Sequence, residues 1–330
     1  MEPVAGPRST ATVFLRRSFR IAGSNARWLT LQLNAVLPSE PSPRAILLLH
    51  GATLASWVFD LPVPGYSLQE RLAAAGWASY ALDVRGYGRS SRPVPGDPGC
   101  PADGPFSTAA ECVADVADAI RFLRHDRGHA EVVLAGYSWG TILVGRFVTS
   151  YPGAVSRMIL FAPIYGAPNP RWLSQLGAAA EPAHSGFGLG GYRWTTADEL
   201  QVRWDSEIPT EEKSSWRANE VLKGVLQAAL GSDALSLTRA PPAFRSPTGC
   251  GVDLFRSFSG SAPFDAGKIE VPSLLVRGDS DTTSTAADSL RLLECLESRD
   301  KRSITIPSGT HFACFEYSAQ LLFDALLAFL

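Results

Sequence analysis

The sequence predicts an α/β fold: a mostly parallel central sheet flanked by helices, interrupted by an inserted, mainly helical segment. Three observations carry this. Short apolar, β-branched runs alternate with stretches of helical period between residues 45 and 161, the pattern of parallel strands joined by crossover helices. The runs at 45–49, 132–134, 158–161 and 274–276 are apolar without alternation, as strands buried on both faces are. From Ile164 to about Pro263 the rhythm breaks, which divides the chain into a first core part (1–163), an insertion (164–263) and a second core part (264–330). With 330 residues, 45% of them apolar, one large core with an insertion suffices.

Taken in order, β-patterns near 11–21 and 27–37 come first. No acid stands between Pro3 and Ser39, while arginines stand at 8, 16, 17, 20 and 27, so an Arg-rich targeting segment is the competing reading. Strands are favoured because Trp28 to Leu33 alternates like a sheet edge and no cleavage pattern follows. The buried strand 45–49 leads to a helix near 67–75, stopped by Gly76, and to a strand at 77–83. A Pro/Gly-rich loop, 92–105, follows. Thr108 and Glu111 form a capping box for a helix whose apolar face is Val113, Val116, Ala117, Ile120 and Leu123. A helix from Trp139 to Tyr151, stopped by Pro152, precedes the strand 158–161. In the insertion, Thr196 and Glu199 cap a short helix, and 210–230, ended by Gly231, reads as a longer one. The run 321–330, interrupted by Asp324, reads as a docked amphipathic helix.

Gly136-Tyr137-Ser138-Trp139-Gly140 lies between an apolar strand and a helix. Such a turn forces the serine backbone into a strained conformation and leaves no room for side chains two residues to either side, where glycine stands. The following helix offers backbone N–H groups and the positive end of its dipole to a forming anion. A serine hydroxyl is a poor nucleophile at neutral pH, so a base and a group to orient it are required. Of five histidines, His50 ends a strand, His125 and His129 lie in a polar connection, and His184 lies in a Gly/Ala/Pro-rich stretch. His311 remains, on a loop just past the alternating run 303–307. The orienting acid comes from the loop opened by Gly278. Asp281 is preferred, because three loop residues can carry its carboxylate over the sheet's edge, whereas Asp279 is assigned to loop amides or solvent.

The order Ser138, Asp281, His311 resembles that of the α/β-hydrolase family. Leu47 to Ala52, with its His50-Gly51 pair, is similar to the family's oxyanion strand and turn, and Asp83-Val84-Arg85-Gly86-Tyr87-Gly88-Arg89-Ser90 to its D-x-R-G-x-G-x-S loop. The likeness spans nearly the whole chain except about 164–263, where the family inserts a variable lid. It implies a serine hydrolase whose oxyanion hole is the backbone N–H of Ala52 and of Trp139. Asp83 and Arg85 then read as a loop-bracing ion pair. The absence of an acid between Ala162 and Pro168, where some relatives carry theirs, reinforces Asp281.

Trp172, Trp194, Trp204 and Trp216, four of the eight tryptophans, lie in the insertion beside Tyr165, Phe187 and Tyr192. Such aromatics pack a lid onto a core; some of them, namely Tyr165, Trp172, Trp194 and Trp204, are expected to line an apolar pocket over Ser138 together with Trp57 and Trp139. Thirty basic against thirty-two acidic residues, a net charge of −2 and no basic block exclude a nucleic-acid partner. No apolar stretch reaches the roughly 18 residues of a membrane span. Five cysteines, at 100, 112, 250, 295 and 314, without metal spacing, fit reduced thiols in a cytoplasmic enzyme, with Cys314 near His311. No metal or cofactor motif is present.

The leading expectation is hydrolysis of an ester or related acyl bond of a small hydrophobic substrate through an acyl-enzyme. A prolyl aminopeptidase-like peptidase is the first alternative, since that type also tends to carry Trp after the serine. It requires lid carboxylates for a substrate ammonium; Glu199, Glu207, Glu211 and Glu212 are available but read as lying on solvated helix faces. Acyl transfer, or cleavage of a carbon–carbon bond beside a ketone, uses the same triad, and a non-catalytic ligand-binding module can retain it.

Overall fold

The structure, a computed structural model, describes residues 14–93, 104–177 and 190–330. The core elements are β1 (Leu15–Ala22), β2 (Thr30–Leu37), β3 (Arg44–Leu49), α1 (Leu68–Ala74), β4 (Ala78–Asp83), α2 (Ala109–Arg121), β5 (Glu131–Tyr137), α3 (Trp139–Ser150) and β6 (Arg157–Phe161). The insertion carries α4 (Pro170–Gly177), β7 (Tyr192–Thr196), α5 (Ala197–Asp205), α6 (Asn219–Gly231), β8 (Ala243–Pro247) and α7 (Gly249–Phe258). The core resumes with β9 (Ser273–Gly278), α8 (Ala286–Cys295), β10 (Lys301–Ile306) and α9 (Ala319–Leu327).

Eight strands form one sheet in the order β1-β2-β4-β3-β5-β6-β9-β10. In that order β2 runs antiparallel to β1 and β4, and the six strands β4, β3, β5, β6, β9 and β10 are mutually parallel. Alternation along β3 divides the core. Ala45, Leu47 and Leu49 face α2, α3 and α8, whereas Ile46 and Leu48 face α1, α9 and the insertion's α5 and α6. Both faces of the parallel strands are therefore covered, which is why these strands read as unbroken apolar runs. Their carboxyl ends share one rim, where ligands of such sheets bind.

Local chemistry sets the helix ends. Thr108 and Glu111 close a reciprocal capping box at α2, as Thr196 and Glu199 do at α5. Gly76 adopts φ 81° just past α1, a conformation open to glycine and costly for other residues. The insertion departs from the sequence expectation in two ways. It contains an antiparallel pair, β7 with β8, built from the aromatic and β-branched run Tyr192 to Thr196. The long helix begins at Asn219 instead of near 210, because Pro209 and a 3-10 turn at Lys213–Ser215, capped by the Glu212 side chain, occupy the interval. The pattern near 11–21 becomes β1 from Leu15; its first residues, with Arg8, lie outside the described ones, as do His184, Phe187, Cys100 and most of the loop 92–105. No helix among the described residues is long and apolar enough to cross a membrane.

Candidate active site

Ser138 sits between β5 and α3 with φ 57° and ψ −123°. For a residue with a Cβ this region costs about 1–3 kcal/mol, so the surroundings must hold it. The Ser138 N–H donates to Phe161 O at 2.9 Å, and the Thr141 N–H and hydroxyl donate to Ser138 O at 2.9 and 2.6 Å. A Cβ at Gly136 would collide with the Gly140 carbonyl, and one at Gly140 with the Leu49 and His50 carbonyls. The elbow therefore demands glycine because backbone approaches backbone there.

Three loops bring three side chains together. Ser138 Oγ lies 2.8 Å from His311 Nε2, and His311 Nδ1 lies 2.9 Å from Asp281 Oδ2. All three residues are at least nine-tenths buried, at 6, 5 and 5% exposure. The carboxylate accepts from Nδ1–H, which leaves Nε2 unprotonated to accept the serine proton. Asp281 Oδ1 is fixed from behind by the Thr283 and Ser284 N–H groups, each at 2.8 Å. The acid and histidine loops are stitched to one another by the Ser280 N–H, which donates to Gly309 O at 3.0 Å, and the strand before Ser138 holds the histidine loop through the Tyr137 hydroxyl, which donates to His311 O at 2.8 Å. Asp279 faces away from the imidazole and accepts from the Ser308 and Gly309 amides at 3.1 and 3.3 Å.

Trp139 follows the serine directly, and Gly51, just before Ala52, packs against it: a Cβ there would stand 3.2 Å from Ser138 Cβ and 3.6 Å from its Oγ. Trp139 is the first residue of α3, whose N–H has no intrahelical acceptor, and among the described residues neither its amide nor that of Ala52 donates to a backbone carbonyl. His50 orients the Ala52 amide. Its Nδ1 contacts Gly51 O at 2.8 Å and its Nε2 contacts the Val84 N–H at 3.3 Å, so Nδ1 must donate and Nε2 accept: a neutral ring. Burial lowers the His50 pKa from its ordinary value, against the pull of Asp83, and keeps the ring in that form. Because a trans peptide points its N–H opposite its C=O, holding Gly51 O aims the Ala52 N–H. The Trp139 ring does not line the cavity as expected; it is fully buried, and its indole N–H donates to Asp253 of α7 at 2.9 Å. The expected Asp83–Arg85 pair is also corrected. Arg85 binds Asp115 of α2, with Nε 3.1 Å from both carboxylate oxygens, while Asp83 accepts from the Ser56 and Arg89 amides at 2.9 and 3.0 Å. Each group braces the loop, through partners distant in sequence.

A cavity of roughly 600 Å³ opens over Ser138 and His311, walled by Leu54, Leu176, Leu200, Leu254, Phe258 and Phe312. Of the other five expected pocket aromatics, Trp172 lines it; Trp57, Tyr165, Trp194 and Trp204 do not. Trp57 stacks on Phe315, with ring centroids 5.9 Å apart, and the Tyr165 hydroxyl donates to Phe264 O at 3.2 Å. Trp194 faces Arg239 and Arg245, and Trp204 is buried with its N–H 2.9 Å from Glu316. Trp204 and Tyr165 thereby tie the insertion to the core, Trp57 packs within the core, and Trp194 packs within the insertion. Cys314 is buried in that layer and does not line the cavity; Cys250 does, with burial pushing its thiol up to about 11.

Two buried acids escaped the sequence reading. Glu316 accepts from the Thr310 amide and hydroxyl next to His311 as well as from Trp204. Glu207, expected on a solvated face, is 3% exposed; it binds Arg203 at 2.7 Å and accepts from the Thr282 amide, the Thr282 hydroxyl and the Thr283 hydroxyl. Arg203 stands one helical turn before Glu207, but the contacts that bury the two acids, Thr282 and Thr283 for Glu207 and Trp204 for Glu316, lie 75 or more residues away. Burial opposes the Glu207 charge, but Arg203, His311 and Thr282 outweigh it and hold the pKa at about 2. A carboxyl depressed on folding adds stability that is complete above its unfolded pKa and is lost as pH falls toward the folded value. The contribution is on the order of 3 kcal/mol at neutral pH. Glu207→Gln is expected to destabilise the protein by roughly 2–3 kcal/mol in urea unfolding at neutral pH, with the gap closing between about pH 5 and pH 2. A gap independent of pH would remove the charge from the account.

The family described as "Serine aminopeptidase, S33" (Hydrolase_4) matches residues 41–240. The 1-acylglycerol-3-phosphate O-acyltransferase ABHD5 of Sus scrofa is 30% identical over 189 residues, 54% of this chain and 48% of that protein. The human protein of the same name is 28% identical over 188 residues, 53% of this chain and 47% of that protein, so the chain spans about half the length of these curated relatives. Among solved structures, E-2-(acetamidomethylene)succinate hydrolase superposes with a TM-score of 0.64 at 18% identity, covering 96% of this chain and 99% of that one. The enol-lactonase of Burkholderia xenovorans LB400 gives 0.63 at 16% identity, covering 94% and 98%. These two likenesses establish the α/β-hydrolase fold. Since the family match extends over more than half of its length, the chain belongs to the serine aminopeptidase S33 family of α/β-hydrolases.

Proposed function

We propose that the chain is a serine hydrolase that cleaves an ester or related acyl bond of a small molecule by way of an acyl-enzyme. The continuous hydrogen-bond chain from Ser138 through His311 to Asp281, ending at a cavity over the serine, carries this reading. Ser138 Oγ attacks the carbonyl carbon as its proton passes to His311 Nε2, and the carbonyl electron pair becomes an oxyanion between the Ala52 and Trp139 amides. Collapse of the oxyanion breaks the bond to the leaving group, which takes the proton from Nε2. Water then attacks the acyl-enzyme, giving its proton to Nε2; the acid leaves and Ser138 regains its hydrogen. Asp281 fixes the imidazole tautomer and stabilises the imidazolium throughout. Residues 164–263 act as a lid, supplying Trp172, Leu200, Leu254 and Phe258 to exclude water.

A second reading, peptidase action on an amino-terminal residue, is favoured by one observation: Glu199 lines the cavity, as a carboxylate holding a substrate ammonium must. Similarity to ABHD5 favours a third, in which an alcohol replaces water as acceptor. A fluorophosphonate should label the protein once per chain, at Ser138 by peptide mapping, with turnover of p-nitrophenyl esters exceeding that of aminoacyl nitroanilides. Label elsewhere, or no label, would dismiss the nucleophile. Faster nitroanilide turnover would select the peptidase, and ester formation with an added alcohol would select transfer.

A further inference from the structure

Three polar residues of the cavity, Arg193, Thr195 and Ser246, share one face of the β7–β8 pair. Arg193 stands opposite Ser246 and Thr195 opposite Phe244, and strand alternation turns Arg193, Thr195 and Ser246 toward the cavity while Tyr192, Trp194 and Arg245 point the other way. On that far face the Arg245 charge is satisfied by Asp233 at 2.7 Å. On the cavity face it is not. Arg193, exposed at the mouth of the cavity, has no ion-pair or hydrogen-bond partner among the described residues and is free to meet an incoming anion.

The other charged groups lining the cavity are engaged. Arg203 is held by Glu207 and Thr283, at 2.7 and 2.5 Å. Glu199 gives Oε2 to the Thr196 amide and hydroxyl at the start of α5. Thr195 supplies an independent observation. It is 4% exposed, lines the cavity, and its buried Oγ1 has no hydrogen-bond partner. Of the buried side-chain polar atoms without a partner, the Thr195 hydroxyl is the one on a cavity-lining residue, and a χ1 rotation would turn it to a group bound there. Ser246, also 4% exposed, lies beside Thr195.

We infer that the substrate carries, besides the acyl bond presented to Ser138, an anionic oxygen group, a carboxylate or phosphate, that Arg193, Thr195 and Ser246 bind. A guanidinium presents paired N–H donors that match two oxygens of such a group, and a hydroxyl beside it takes a further lone pair. A cavity of roughly 600 Å³ accommodates both ends of a substrate of drug-like size. The inference rests on the hydrolase reading and adds the substrate class to it.

The test compares p-nitrophenyl half-esters of succinic through suberic acid with neutral p-nitrophenyl butyrate through octanoate, and, in a second arm, 1-acylglycerol 3-phosphate with the uncharged monoacylglycerol of equal chain length. One arm should show kcat/KM higher for the anion by about tenfold or more, chiefly through KM; which arm does so identifies carboxylate or phosphate. Arg193→Met should cut that ratio by about 10- to 100-fold, Arg193→Lys should recover part of it, and Thr195→Val should lower it severalfold. Ratios near unity in both arms, or a ratio untouched by Arg193→Met, overturn the subsite. If neutral esters are turned over and Ser138→Ala abolishes that turnover, the hydrolase reading survives such a result. Absence of both ester turnover and fluorophosphonate labelling removes both. Preference for ammonium-bearing esters, lost in Glu199→Gln, likewise overturns the inference.

Discussion

Replacing Ser138 by alanine is expected to lower kcat on p-nitrophenyl butyrate by about 10⁴- to 10⁶-fold. The size follows from what the change removes and what it leaves. Only Oγ is lost, and its one protein partner is His311 Nε2 at 2.8 Å. The bonds that hold the strained backbone, from Ser138 N–H to Phe161 O and from Thr141 to Ser138 O, run through main-chain atoms and remain. In the proposed mechanism the Ala52 and Trp139 amides are untouched by the change, so a residual acceleration over water is expected from them and from binding alone. His311→Ala is expected to cost a similar factor, and the double variant little more, because the two act as one unit. Unchanged thermal unfolding midpoints would certify that chemistry, not folding, was lost. A Ser138→Ala enzyme within tenfold of the parent would defeat the assignment.

How far the residues alone announce this site depends on the range of each interaction. The elbow is legible because all its constraints are local: five consecutive residues must turn from β5 to α3, and glycine at 136 and 140 is the steric answer. The three loop positions are legible because parallel strands place their carboxyl ends on one rim, so position along the chain becomes position in space. The capping boxes at Thr108 and Thr196 are local for the same reason. The pocket wall is a different matter. Trp194 and Arg193 are neighbours in sequence, yet strand alternation sends one away from the cavity and the other into it, and that depends on β7 pairing with β8 some fifty residues later. A run of aromatics in a mixed insertion carries no phase from which this could be read. Arg85 chose Asp115 over Asp83 because α2 delivers a carboxylate to its guanidinium while Asp83 is already committed to two amides.

The insertion and the acid loop are mechanically one unit. Glu207 grips Thr282 and Thr283, Thr283 also binds Arg203 and the Trp172 indole, and the Thr283 amide fixes Asp281. The insertion is thus hydrogen-bonded directly to the loop that carries Asp281.

Asp281→Asn is expected to lower kcat by about 10⁴-fold while leaving the fold intact. Hydrogen-bond direction supplies the reason. At present Oδ1 accepts from the Thr283 and Ser284 N–H groups, and Oδ2 accepts from His311 Nδ1–H. In asparagine one of these positions must become NH₂. The two backbone donors require an acceptor, so the amide oxygen goes to them and the NH₂ is turned toward His311. Nδ1 must then accept, the ring proton moves to Nε2, and the nitrogen facing Ser138 can no longer take its proton. Asp279→Asn supplies the contrast: its carboxylate serves only the amides of Ser308 and Gly309 and the Ser280 hydroxyl, so activity should fall by less than about tenfold. If the two variants lost activity equally, the choice between the aspartates would fail. If Asp281→Asn alone collapsed, with the loss seen in kcat and not in KM, the carboxylate's work would be assigned to holding one imidazole tautomer, not to binding substrate.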